Sequence, residues 1–524
     1  MYLIFFNIAL WSAVVYCIAR TIKQSFEAEV RHIIGLFRDP KLPPGPLGIP
    51  FFGSLSSVAG TDSYTAFSQL AKRYGGQVFL RVGKKNIFVM REPAMIKEAY
   101  RQTAFSDRPK TFFKDKDLIG NKGIIQSTGN VWQEHRRLIL SAFRTIGLKS
   151  SASVTPRPQT SQIAEVMLRD VEEYLQFVDQ FVVNQADGHI MLEKLTGRLA
   201  GSSISSCVFG LKKSFADKEF SHNVEVIEEG FFVGEKVAPF ELFPLLKSVP
   251  ALWKPVQAKL KQNHGCTCKY FRSQIDEKVA TEAACDKARP DSLITIYRNE
   301  MAKREASLQP QILSEIQLMQ TMTDMFCAGT ETVKYSLMWS MLYMAKHPEV
   351  QAAVQQELDA FVRSTNSSPS WQDVSLLPYT EATILECLRI RPVLPFGHPR
   401  AVHDEEAEIR GYTIPKNTVV LALIWDIHQD PRYWESPLEF RPCRFINAQG
   451  RTFRPENFLP FGTGRRVCLG DQMAMMELFT AFAALLLRYN FKPSPDTTSV
   501  DLSWKILLSL LIPNDFRISL SLRS

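Results

Sequence analysis

The segment Phe461-Gly-Thr-Gly464-Arg465-Arg466-Val-Cys468-Leu-Gly470 constrains this chain more than any other. Its glycines let the backbone fold tightly around the cysteine. From Gly470 to Arg488 apolar residues recur at helical spacing, so Cys468 stands just ahead of a helix N-terminus. The partial positive charge there favours a thiolate, and N–H groups aimed at the sulfur would tune its electron density. A thiolate so placed is a metal ligand, and Phe461 can shield it from water. The competing reading is a buried, inert cysteine ahead of a helix, which is common among free cysteines.

The other eight cysteines, from Cys17 to Cys443, are irregularly spaced, and with Cys468 the total is nine, an odd number. That argues against a disulfide framework and for a reducing compartment around the main body. The run His264-Gly-Cys266-Thr-Cys268 has no second ligand pair nearby in sequence and reads as a solvated loop. The net charge of +8 suits an acidic partner or an anionic membrane surface. Nucleic acid is a poor fit, because the Lys and Arg residues form no arm or basic helix.

Residues 1–19 carry no charge and are mostly large and apolar. As a helix they would span about 28 Å, close to the hydrocarbon thickness of a bilayer. Arg20 and Lys23 follow at once, which places the downstream chain in the cytosol. No basic residue precedes the stretch and no small-residue cleavage site ends it, so a retained anchor is preferred to a signal peptide. Residues 20–46 read as a linker that ends in the stiff Leu42-Pro-Pro-Gly-Pro46 hinge, and 47–524 as one large catalytic domain.

Within that body, Gln77–Val82 and Asn86–Met90 read as a hairpin around Gly83-Lys84-Lys85, and Ile409–Leu423 as another around Pro415-Lys416-Asn417. Most of the rest has helical period, clearest over Val131–Arg144, Gln311–Ala345, Pro348–Val362, Tyr379–Arg389 and Gly470–Arg488. The expectation is a mainly α domain with small β-sheets. In the longest of these helices, Ala328-Gly329-Thr330-Glu331-Thr332 places a glycine beside an acid and an alcohol. The glycine costs about 1 kcal/mol of helix stability. It would permit close approach to a flat ligand, and the threonine hydroxyl can bond its i−4 carbonyl. An ordinary amphipathic helix is the equal alternative.

The loop resembles the F-x-x-G-x-R-x-C-x-G signature of the cytochromes P-450, with all five fixed positions present. Ala474 and Glu477 continue it at the family's spacing, and the likeness runs from the apolar N-terminus to the C-terminus. It looks like the microsomal branch. The resemblance implies a haem b whose iron takes Cys468 as axial ligand, with Phe461, Gly464 and Arg466 shaping the loop and Arg466 reaching a haem propionate. Ala328-Gly-x-Glu331-Thr332 is similar to the family's A-G-x-[DE]-T motif. That implies an oxygen-activating Thr332 and a proton-relaying Glu331 beside Ala328, although Val333 stands where a second Thr or Ser is frequent. Trp132 and Arg136 match W-x-x-x-R and, with Arg400 chosen over His398, imply propionate contacts. Glu386 and Arg389 match E-x-x-R, with Arg444 as third partner, and imply structural support for the loop.

The family likeness further implies a monooxygenase that acts on a lipophilic small molecule. The chain has no dinucleotide fingerprint of the G-x-G-x-x-G kind after a strand, so electrons from NADPH would arrive through NADPH-cytochrome P-450 reductase, with cytochrome b5 as a second donor. The place implied is the endoplasmic reticulum membrane, single-pass, with the catalytic domain on the cytosolic side. Expected pocket segments are Phe105–Ile125, Phe231–Leu246, Phe326 with Ala328, Val393–Phe396 and Ile506–Leu511. A haem-thiolate isomerase or dehydratase, and a non-enzymatic haem sensor or carrier, are the alternatives.

Overall fold

A computed structural model describes residues 41–60, 62–111, 118–148, 161–184, 192–283, 292–308, 312–402, 405–495, 497, 499–514 and 517–523, with a few single positions from 16 to 30. The expected anchor at 1–19 therefore lies outside the described residues, apart from Tyr16 and Ala19. Among the described residues no helix is long and apolar enough to cross a membrane.

The chain is mainly helical with small sheets, in agreement with the hydrophobic periodicity. The first strands, β1 (Gln77–Val82) and β2 (Lys85–Met90), lie between helices α1 (Ser63–Arg73) and α2 (Pro93–Arg101). Six helices follow: α3 (Gly129–Thr145), α4 (Ser161–Asn184), α5 (Leu192–Ile204), α6 (Lys218–Glu235), the short α7 (Ala238–Leu242) and α8 (Pro250–Ala283). Next come α9 (Leu293–Ala306), α10 (Glu315–Lys346), α11 (Pro348–Thr365) and α12 (Pro378–Ile390). Strands β3 (Arg400–Ala401), β4 (Ala407–Ile409), β5 (Tyr412–Ile414) and β6 (Val419–Ala422) precede α13 (Ile424–His428) and α14 (Asp471–Arg488). Strands β7 (Tyr489–Pro493), β8 (Trp504–Leu507), β9 (Leu510–Pro513) and β10 (Ile518–Leu522) end the chain.

The long helix α10 is the spine of the core. Ser314 caps its start by accepting from the Gln317 N–H, and residues from Thr330 to Ala345 are buried almost without interruption apart from Thr332. Such burial on all sides explains why the segment reads as apolar around the whole helix rather than as a stripe. Around it pack α5, α8, α12 and α14.

Two local expectations change. Strands β5 and β6 do not pair around Pro415. Instead β5 pairs with β4 across a two-residue turn in which Arg410 and Gly411 both have positive φ, the geometry that suits hairpin twist. The apolar β6 leaves for the four-stranded sheet β1-β2-β6-β3, where it lies parallel to β2. His264, Cys266 and Cys268 are not in a loop either. They lie within the long α8, where the Cys268 sulfur rests 3.5 Å from the His264 ring one turn earlier.

The proline segment packs onto the body. The Phe79 N–H donates to Pro44 O at 2.9 Å, and a Cβ on Gly45 would lie 1.7 Å from Phe79 O. Only glycine fits there.

Candidate functional site

The cysteine loop turns through Gly462 and Gly464, both at positive φ (+72° and +73°). Gly464 is required twice over, because a Cβ on it would lie 2.0 Å from Tyr100 O on α2. Gly464→Ala is expected to cost at least about 1–3 kcal/mol from backbone strain, with the clash in addition. A fall in the thermal midpoint with loss of bound cofactor checks it, and an unchanged midpoint would refute the close approach.

The loop closes on itself where Cys468 N–H donates to Phe461 O at 3.1 Å. The Cys468 sulfur opens on an internal cavity of about 290 Å³ and is crowded by protein on its other sides. Burial and the nearby Asp471 carboxylate push its thiol up to about 11, while the Gly470 N–H and Arg136 pull the other way. The helix N-terminus therefore does aim an N–H at the sulfur, but burial outweighs it. A metal ion coordinated to the sulfur deprotonates a thiol outright.

Four arginines surround one end of the cavity. Arg136, on α3, donates to Val467 O at 2.9 Å. Arg400 lies 3.4 Å over the Tyr100 ring and donates to Thr463 O at 2.6 Å. Arg466 lies 4.0 Å from the Trp132 ring centre and donates to the Ser106, Ile124 and Ser127 carbonyls. Its guanidinium is thus largely taken up in tying the loop to 106–127. The fourth, Arg108, has no signal in the sequence, because 105–125 carries no motif spacing. It donates to Ile125 O at 2.9 Å and Pro399 O at 2.7 Å. Burial lowers all four, and repulsion from neighbouring arginines adds to it for three, Arg466 to about 7, Arg108 to about 9 and Arg400 to about 10. His398 also lines the cavity, but burial and Arg108 hold it well below its usual range and hence neutral. Of His398 and Arg400, only the arginine offers a charge.

Across the cavity, α10 contributes Ala328, Gly329, Thr332 and Ser336. Thr332 Oγ1 donates to Ala328 O at 2.6 Å. Gly329 serves a different neighbour from the one its sequence context suggested. Its missing Cβ makes room for Ile204 of α5, whose Cδ1 would lie 2.0 Å away. Glu331 is not on the cavity wall. Its side chain is buried toward Lys334, 3.7 Å away. Lys334 in turn meets Glu228 of α6 at 2.9 Å. Burial pulls the Lys334 ammonium down, but Glu331, Tyr335 and Glu228 together hold it above its usual range. The acid and the alcohol, adjacent in sequence, thus face different surroundings.

A family description, Cytochrome P450, matches residues 43–518. The chain belongs to the cytochrome P450 family. It is 32% identical over 452 residues to Cytochrome P450 18a1 of Drosophila melanogaster, covering 85% of this chain and 80% of that relative. It is 29% identical over 505 residues to Cytochrome P450 2U1 of Homo sapiens, covering 94% and 88%. With Cytochrome P450 2J2 of Homo sapiens it shares 29% identity over 480 residues, covering 90% of each. This cytochrome P450 is accordingly a monooxygenase of the haem-thiolate class.

The residues present fit such a group. A soft sulfur faces the cavity from one side and the small Ala328 leaves space on another. The guanidiniums at one end suit the two carboxylates of a haem. Of the expected pocket segments, Ile124, Ile125, Ala328, Val393 and Leu394 line the cavity. Phe326 does not, since it packs against Phe220 and Phe271 from α6 and α8. Residues 231–246 and 506–511 do not line it either.

Glu386, Arg389 and Arg444 meet outside the cavity. Arg389 grips the Glu386 carboxylate with two N–H groups at 2.6 and 2.8 Å, and Arg444 Nε reaches it at 3.1 Å. Arg389 also donates to the His428 and Pro437 carbonyls, which fastens α12 to the end of α13 and to the loop that follows it, ahead of the cysteine segment.

Proposed function

We propose that this P450 is membrane-anchored through residues 1–19 and inserts one oxygen atom into a lipophilic substrate. In this reading Cys468 ligates the iron, and electrons come from NADPH through a separate reductase at the endoplasmic reticulum, with cytochrome b5 as a second donor. The observation that carries the reading is that Cys468 and Thr332 line the same cavity, with the arginine cluster at its end.

When bound, the thiolate-ligated haem supplies the redox centre for dioxygen reduction and cleavage. The chain's own residues do the rest. Arg108, Arg136 and Arg400 orient the group through its carboxylates, while Trp132 and Arg466 brace the loop. Thr332 spends its own proton on Ala328 O, so its oxygen lone pairs are left to accept a hydrogen bond from the cavity side. Ile124, Ile125, Val393 and Leu394 exclude water from the substrate's place. The Glu386–Arg389–Arg444 trio holds the segment that leads into the cysteine loop. Exposed Arg137 and Arg144 on α3 supply charge for an acidic reductase face.

An exposed apolar patch supports membrane contact. Leu47, Ile49, Phe52, Val249 and Leu252 are exposed, and Phe51 and Phe52 lie against Phe243.

The test is reconstitution of the full chain in vesicles with reductase and NADPH. Oxygenated product from a lipophilic probe, with dioxygen as the oxygen source, is the expected result. Rearrangement of a hydroperoxide without reductase would point to an isomerase instead. Haem binding with no turnover of either kind would point to a carrier.

A further inference from the structure

Two carboxyls line the cavity among the described residues, Asp324 and Glu477. Asp324 is fully engaged, accepting from the Ile124 and Ile125 N–H groups at 2.7 and 2.8 Å and from Gln320 at 2.8 Å. Glu477, on α14, differs. It is 1% exposed, and its Oε1 has no hydrogen-bond partner in the protein. The Ser203 hydroxyl faces the carboxyl closely enough to favour its anion, without a well-formed hydrogen bond.

Behind it the polar groups continue. Ser206 lies one turn beyond Ser203, where α5 passes into the π-helical turn Ser205–Phe209. Its hydroxyl faces Asp170 of α4, which is itself 1% exposed with one carboxylate oxygen unpartnered. The other oxygen lies 3.8 Å from Arg169, whose side chain is half-exposed. The Cys207 thiol feels the charge of both Asp170 and Glu477, so both carboxyls lie near it. Burial raises both carboxyls, Asp170 to about 6. Buried polar atoms without protein partners hold ordered water in folded chains, at a cost if left dry.

We propose that Asp170, Ser206, Ser203 and Glu477 form a proton-conducting route from the surface at Arg169 to the cavity wall, separate from Glu331. The inference rests on the monooxygenase reading. That reaction is RH + O2 + two electrons + two protons giving ROH + H2O, with the electrons from the reductase. A proton from solvent binds Asp170. Each hydroxyl, or a water between them, accepts a proton and passes on its own, and Glu477 Oε1 delivers one into the cavity. Asp170 returns to its starting state, so nothing in the protein is consumed. Glu331, tied to Lys334 and turned from the cavity wall, does not offer its carboxylate there.

The test uses the haem-loaded full chain and the variants Glu477→Gln, Ser203→Ala and Asp170→Asn. Infrared spectra should show a protonated-carboxyl C=O band that shifts in D2O and is missing in Glu477→Gln. Its exchange with D2O should slow in both Ser203→Ala and Asp170→Asn. With reductase, NADPH and 7-ethoxycoumarin, Glu477→Gln should slow turnover on the order of 100-fold, the lower end for positioned proton transfer, and raise the solvent isotope effect. With hydrogen peroxide as oxygen donor (RH + H2O2 giving ROH + H2O, no added protons), the same variant should match wild type. A merely structural role would lower both reactions alike. Wild-type exchange and isotope effects in all three variants would overturn the route. Should Glu477→Gln not fold, Ser203→Ala loses one hydroxyl only and decides the exchange result. If wild type forms no product from NADPH and dioxygen, the monooxygenase reading fails, while the infrared result still decides the route.

Discussion

Replacing Glu386 by glutamine is expected to destabilise the folded chain by about 3–5 kcal/mol, the range for breaking a buried ion pair. Its carboxylate is fully buried and accepts from both Arg389 and Arg444, and from the Arg441 N–H at 2.8 Å. Glutamine keeps the shape but offers one acceptor oxygen, turns an NH2 toward guanidinium donors and leaves their charge uncompensated. A domain is held folded by about 5–15 kcal/mol in all, so the loss takes a large share. The urea midpoint should fall steeply, and haem-loaded protein should be recovered poorly. Glu386→Asp keeps the charge and should lose less. A change within about 0.5 kcal/mol, the scale of a surface substitution, would show that the trio contributes little.

The second large effect is expected at Cys468. Cys468→Ala should abolish the red-shifted Soret band of the reduced, carbon monoxide-bound protein completely, and with it NADPH-driven turnover. The reason is electronic. The proximal thiolate is the source of electron density that favours O–O cleavage, and no second cysteine lines the cavity among the described residues. Because the side chain is small and its neighbours are held by Gly464 and the arginines, the melting midpoint of the variant without cofactor should stay near that of the parent in the same state. An unchanged carbon monoxide spectrum in Cys468→Ala, or an imidazole-type band in fresh active parent protein, would sink the assignment.

Both sites were legible before folding was considered, for different reasons. The cysteine loop is local. Its glycines, its aromatic and its helix start lie within ten consecutive positions, so the backbone turn and the Gly470 N–H at the sulfur follow from short-range geometry. Glu386 and Arg389 share a helix face by i, i+3 spacing. What spacing could not tell was their worth. An exposed pair of this kind contributes about 0.3 kcal/mol, and only burial on α12 beneath Arg444 turns it into a structural charge cluster.

Strand pairing shows the same division. The hairpin β1–β2 was visible in its two short β-like runs flanking the Gly83-Lys84-Lys85 turn. The partner of β6 was not, because an apolar strand carries no mark of which edge it will meet, and β2 lies over 300 positions earlier in sequence.

The sequence by itself determined the helical class, the cysteine that opens on the cavity and the alcohol on the opposite wall, because these depend on residues close together in the chain. Tertiary structure decided what each side chain faces. It brought Arg108 beside Arg400, turned Glu331 toward Lys334 and Glu228, and gave Gly329 to Ile204. It also set Glu477 on the cavity wall with Asp170 behind it. These outcomes depend on which distant helices meet, and so on packing and burial, which no local spacing encodes.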